Sequence, residues 1–142
     1  MIKKNNLYVS ILFVSVMLTS CIGRIVYEEK LTLGYELSAN DDMSGMCIYV
    51  NDGQYQIGVI HATVFSVGYN QDFIIAKQHP FVGSVINKSI TNYYIISIKD
   101  KINASPDENK IGPLTQEMFL IKRKELEIPD NLDFSITIDK LK

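Results

Sequence analysis

Apolar residues are distributed unevenly along the 142-residue chain, and their spacing predicts the elements. Leu7 to Leu18 is an apolar run broken only by Ser10 and Ser15. At about a dozen residues it is shorter than the roughly 20 that a spanning helix needs. Further on, short β-rich runs alternate with turn signals. Gly34-Tyr35-Glu36-Leu37 opens a first strand, and Met46 to Val50 is a second. Asn51-Asp52-Gly53 marks a hairpin, because Asp-Gly supplies positive φ angles, and Gln54 to Ile60 returns. His61 to Gly68 is followed by a turn at Tyr69 to Asp72, then by Phe73 to His79, which Pro80 ends because it has no N–H to donate. Residues 81–91 read as a loop.

The face patterns carry more information. Phe65, Val67 and Tyr69 share one face by the period of two, leaving the smaller Val64, Ser66 and Gly68 on the other. Tyr93 to Ile98 is apolar on both faces, so it is placed centrally with a second layer over it. Gln116 to Leu126 supplies that layer: Gly112-Pro113-Leu114-Thr115 sets up the helix start with Thr115 as the N-cap, Glu117 lies in the first turn, Phe119 and Leu126 fall on one face, Met118 and Ile121 widen the stripe, and Pro129 stops the helix. Ser135 to Ile138 alternates as an edge strand. The expected fold class is α+β, an antiparallel β meander of about five to six strands with one C-terminal helix packed on the sheet.

The N-terminal run has a second meaning when its flanks are included. Lys3 and Lys4 precede it, and Leu18-Thr19-Ser20-Cys21 follows. A basic region, a short apolar run and small residues before a cysteine have the order of a secretion signal ending in a bacterial lipobox. Residues 1–20 are therefore expected to be the signal, residues 21–33 a lipidated N-terminus and tether, and residues 34–142 one domain. Cys21 is the lipidation site, and two acyl chains anchor stably where one is marginal. The membrane is thus the first expected partner, through a diacylglyceryl cysteine. The expected location is extracytoplasmic: the cell membrane, or the outer membrane of a Gram-negative host, since Ile22 rather than aspartate follows the cysteine.

Composition adds constraints. The chain has a formal charge of −2; without Lys3 and Lys4, 12 of its 14 Lys and Arg remain against 16 Asp and Glu, giving −4. A mildly acidic balance with dispersed basic residues argues against nucleic acid as a partner. The densest basic run, Lys122-Arg123-Lys124, reads as a solvated helix face. With Cys21 consumed by lipid, Cys47 is left alone and forms no intramolecular disulfide.

Candidate chemistry is sparse. Cys47 could act as a nucleophile with His61 or His79, but it sits in the apolar stretch Met46-Cys47-Ile48, where cysteine behaves as a small hydrophobe. His61 and His79, with Asp72, lack the close ligand spacing of zinc sites, so no cofactor or metal is expected. Asp41, Asp42 and Asp52 fit turns better than a calcium loop, and Asp100, Asp107 and Glu108 read as loop charges. No Gly-x-Ser-x-Gly elbow or glycine-rich phosphate loop is present. Six tyrosines, Tyr35, Tyr49, Tyr55, Tyr69, Tyr93 and Tyr94, suit either half-buried strands or a binding surface.

In sequence order, Gly34 to Leu37, Val67 to His79, Asn92 to Ile96, Gly112 to Thr115, Phe119 with Lys122 to Leu126, and Ile128-Pro129 resemble a family of small bacterial proteins, many with lipoprotein signals, catalogued as a domain of unknown function (DUF3997). The resemblance spans most of residues 34–130 and carries across no activity, ligand or catalytic residue. Two function classes follow: a lipid-anchored binding or interaction module with an envelope protein as partner, or a small envelope hydrolase. Catalytic motifs favour the first by their absence from the sequence.

Overall fold

The computed structural model describes residues 23–51, 53–98, 105 and 108–142. The expected signal and Cys21 lie outside the described residues, as do Asp52, Asp100 and Asp107. The first sheet is an antiparallel meander of β1 (Ile25–Lys30), β2 (Tyr35–Asn40), β3 (Cys47–Asn51) and β4 (Gln56–Ile60), with a single 3-10 turn at Met43–Gly45. The second contains β5 (Val64–Tyr69), β6 (Phe73–Gln78), β9 (Asn92–Ser97), β10 (Lys110–Leu114) and β11 (Ile136–Thr137), in the order β10-β9-β6-β5-β11. Between β6 and β9, β7 (Phe81–Val82) and β8 (Val85–Ile86) form a separate two-stranded hairpin. The helix α1 spans Gln116–Glu125.

The α+β class holds, and the strands divide into two packed sheets. Tyr35, Leu37, Ala39, Ile48 and Val50 of the first sheet share one core with Val67, Ile74, Ala76 and Ile96 of the second. On the opposite face of the second sheet, Phe73, Ile75 and Ile95 pack with Phe119, Ile128 and Leu132. The second sheet is therefore the middle of three layers. Its two-sided burial accounts for the continuous apolar runs of β6 and β9.

The smaller face of β5 has a physical reason. A Cβ on Gly68 would collide with the backbone carbonyl of Asp133, so glycine lets the C-terminal segment lie directly on the strand. Beside it, the Ser66 hydroxyl pairs with Thr137 Oγ1 at 2.8 Å and donates to Ile136 O at 3.2 Å.

The helix begins as its sequence predicts, with Thr115 Oγ1 accepting from the Met118 amide at 3.3 Å. It ends before Pro129 in a Schellman arrangement. The Ile128 amide donates to Arg123 O at 2.9 Å and the Glu127 amide to Lys124 O at 3.1 Å, with Glu127 in the left-handed region at φ 54°. Arg123 is half-buried, contrary to the solvated-face reading. Its guanidinium donates to Pro129 O at 2.8 Å and Leu132 O at 3.0 Å, fastening the chain that follows the helix.

Residues 21–33 are not only a tether, because β1 occupies Ile25–Lys30; its mostly exposed edge position removes the burial periodicity that would have revealed it. Residues 81–91 are not only a loop, since they hold the β7–β8 hairpin. Gly112 and Pro113 belong to β10, whose edge position tolerates a missing N–H. Met118 and Ile121 are exposed, so the buried stripe of α1 is narrower than expected, centred on Phe119 with Leu126 half-buried behind it.

Phe119 is 2% exposed, with ring centroids 5.0 Å from Tyr93 and 5.9 Å from Phe134. Phe119→Ala is expected to cost about 3–5 kcal/mol. Lys124→Ala, on the exposed side, is expected to cost under about 0.5 kcal/mol. Urea unfolding monitored by circular dichroism checks both values; equal small costs would mean that the helix does not cover the sheet.

Candidate functional site

Antiparallel pairing brings many chain segments to one end of the molecule: the starts of β1, β3, β5 and β9 and the ends of β2, β4 and β6. The chain enters the domain here. The Arg24 amide donates to Asp41 Oδ1 at 3.1 Å, and the Asp41 amide to Arg24 O at 2.7 Å. Asp42 caps the 3-10 turn by accepting from the Ser44 amide at 2.6 Å, and its hydrogen bonds to Ser44 lower its pKa. Asp41 and Asp42 thus do the turn work expected of them.

Polar groups wire this end together. Thr63 and His79 exchange two backbone hydrogen bonds, at 3.0 and 2.9 Å. Thr63 Oγ1 donates to Ser44 O at 2.5 Å, Gln78 Nε2 to Ala62 O at 2.8 Å, and Asn92 Nδ2 to Gln78 Oε1 at 2.8 Å. His79 is 4% exposed and stacks on Phe65 with centroids 4.2 Å apart. Its Nδ1 lies 2.7 Å from Ile90 O; a carbonyl only accepts, so Nδ1 carries the proton. His79 therefore clamps both ends of the connection between β6 and β9.

That clamp supports the β7–β8 hairpin. Gly83 sits first in its two-residue turn at φ 62°, the position where a type II′ turn takes glycine. Phe81 pairs with Ile86 and Val82 with Val85, so both faces of the ribbon are apolar. Phe81, Val82 and Val85 are 41%, 62% and 68% exposed, and Ile90 beside them 46%. The turn Val82-Gly83-Ser84-Val85 was the signal available in sequence, hidden by the brevity of its strands and by the preceding Pro80.

The remaining candidates are dispersed. Cys47 is buried and its thiol donates to Gly45 O at 3.2 Å. Burial pushes its pKa up, although hydrogen bonds with Tyr49 and the Ala62 backbone pull it down. Such a thiol stays protonated at neutral pH, the opposite of an activated nucleophile. His61 is exposed on the outer face of the first sheet, where it and Tyr49 flank Gly58, while His79 serves the clamp. Asp72 lies in the turn set by Asn70, whose Oδ1 accepts from the Asp72 and Phe73 amides at 2.9 and 2.8 Å. Glu108 Oε2 accepts from the Ser105 amide at 3.0 Å. Among the described residues, no three His, Cys, Asp or Glu side chains gather as a metal-ion group.

The opposite end holds a depression of about 400 Å³ between the β1–β2 and β3–β4 turns, lined by residues including Lys30, Leu33, Tyr35, Glu36 and Asn51. Leu33 is strongly exposed there, as is Tyr55 in the β3–β4 turn. Of the tyrosines singled out in the sequence, Tyr35 is the most deeply buried; Tyr49, Tyr69, Tyr93 and Tyr94 are half-buried strand residues.

Burial raises the Tyr35 pKa from 10.0 to about 12. Its folded value lies above its unfolded one, so its contribution to stability is intact below about pH 10 and is lost as pH rises towards about 12. The urea midpoint is expected to fall between about pH 10 and pH 12, and Tyr35→Phe to lessen that fall. An unchanged slope in the variant would remove Tyr35 from the alkaline titration.

No curated protein and no solved structure matches the chain. A family model, described as a protein of unknown function (DUF3997), matches residues 32–140, and the chain belongs to that family.

Proposed function

We propose that this is a lipid-anchored protein of the bacterial cell envelope whose folded domain works by binding another envelope protein. The observation that carries the anchor is the order Lys3-Lys4, Leu7 to Leu18 and Leu18-Thr19-Ser20-Cys21. Each piece has the length and polarity that a secretion signal with a lipid-accepting cysteine requires. The start of β1 at Ile25 supports it: only Ile22, Gly23 and Arg24 separate Cys21 from the domain, which holds the folded unit close to the bilayer.

Binding is favoured over hydrolysis by what the candidate groups are doing. The Cys47 thiol is held protonated by burial, and the His79 ring is committed to Phe65 and Ile90. The depression rimmed by exposed Leu33 lies at the end away from the chain's entry, the end that also holds exposed Tyr55 of the β3–β4 turn and where a membrane-held domain would meet a partner. Exposed tyrosine combines contact area with a polar handle, the composition of binding surfaces.

Cys21→Ala is expected to abolish membrane attachment and incorporation of a labelled fatty acid, leaving an uncleaved precursor. Fractionation of cells expressing either form, with the label read from a gel, measures this. Equal labelling of the variant and the parent would overturn the anchor.

A further inference from the structure

The end of the domain where the chain enters is also the end that carries the apolar β7–β8 hairpin. The Arg24 backbone is hydrogen-bonded to Asp41 there. The Thr63–His79 pair and the Gln78–Asn92 register place the base of the hairpin at the same end of the sandwich. Lys88 adds the C-terminal segment, donating to Lys142 O at 2.9 Å and Lys140 O at 3.2 Å.

A solvated hairpin would carry polar residues on at least one face, as exposed ribbons usually do. This one has Phe81 and Ile86 on one face and Val82 and Val85 on the other, with its turn exposed. None of these four side chains belongs to either hydrophobic core, so the domain core does not consume them. Exposed Ile25, Val26 and Ile90 extend the apolar character of this end.

From these observations we infer that the β7–β8 hairpin is a membrane-inserting foot, seated in the lipid interface of the bilayer that holds the chain. The inference rests on the lipid-anchored reading of Cys21. Cys21 lies three residues before Arg24, a span of at most about 11 Å even when fully extended. The hairpin turn at Gly83 lies four residues beyond His79, a reach of at most about 13 Å. The two upper bounds are similar, so the chain before Arg24 is long enough for an acylated Cys21 to share one layer with the hairpin turn. Apolar faces of surface-bound segments sit about 5–10 Å deep at the boundary of headgroups and acyl chains. Charge at this end is mixed: the Arg24 backbone is bonded to Asp41 beside Asp42, and Lys88 is bonded to the C-terminal segment that carries Asp139, Lys140 and Lys142. Insertion is therefore driven by apolar burial and does not require anionic lipid.

The chain contains no tryptophan, so a single introduced indole reports its own surroundings. Full-length acylated protein carrying Val82→Trp, with Val85→Trp as a second reporter and Tyr55→Trp as the control at the far end, would be reconstituted into phosphatidylcholine vesicles containing lipid brominated in the acyl chains. The expected result is quenching at positions 82 and 85 severalfold stronger than at 55, with a blue shift, unchanged on adding phosphatidylglycerol. Equal quenching at all three positions, in protein that floats with the vesicles and carries acyl chains, would overturn the foot and leave the anchor standing. Protein that carries no acyl chain and does not float would overturn the anchor, and the foot with it.

Discussion

Strands β6 and β9 place large apolar side chains on both of their faces, and that requirement organises the fold. Ile74, Ala76 and Ile96 point towards the first sheet, while Phe73, Ile75 and Ile95 point towards α1 and the segment after it. Neither cover suffices alone, because leaving either face wet would forgo about 25 cal/mol for each Å² of apolar surface. The helix must be held down by more than its own stripe, and Arg123, Ile128 and Leu132 supply the fastening. Gly68 then lets the chain pass tightly over β5 on its way to β11.

A sandwich of antiparallel strands sends its connections to two ends, and the two ends differ in character. One is tied by a polar network through Thr63, Gln78, His79 and Asn92, and it carries the base of an apolar hairpin. The other holds a depression rimmed by exposed Leu33. The polarity of the molecule thus runs along its strands. A protein held by its N-terminus would use the first end for attachment and the second for recognition. His79, which in sequence invites a catalytic or metal role, is better understood as the clamp that gives the hairpin a rigid base.

Elements with strong period or strong punctuation were legible in sequence. The central placement of Tyr93 to Ile98, the N-cap at Thr115, the paired faces of Phe65, Val67 and Tyr69, and the turn at Asn70 all follow from local patterns. Elements whose identity depends on long-range partners were not. β1 has no buried stripe to betray it, since it is an edge paired only with β2. β10 contains Pro113, which argues for a turn unless its edge position is known. The division into two sheets was hidden because an inward-facing residue looks the same whichever layer it packs against. Arg123 looked solvated because the carbonyls it serves, on Pro129 and Leu132, approach only once the chain has turned. Among the candidate site residues, the retirement of Cys47 into the core was readable from its neighbours, whereas the role of His79 depends on Ile90, eleven residues away.

The doubly covered strands should be the last part of the molecule to open, and native-state hydrogen exchange tests this most directly. The amides of Ile74, Ile75, Ile95 and Ile96 should exchange only through global unfolding, with protection matching the full unfolding free energy, while those of β1 and the β7–β8 hairpin exchange through smaller local openings. If the β9 amides exchanged as quickly as those of β1, the middle sheet would not be the structural centre, and the three-layer account would be wrong.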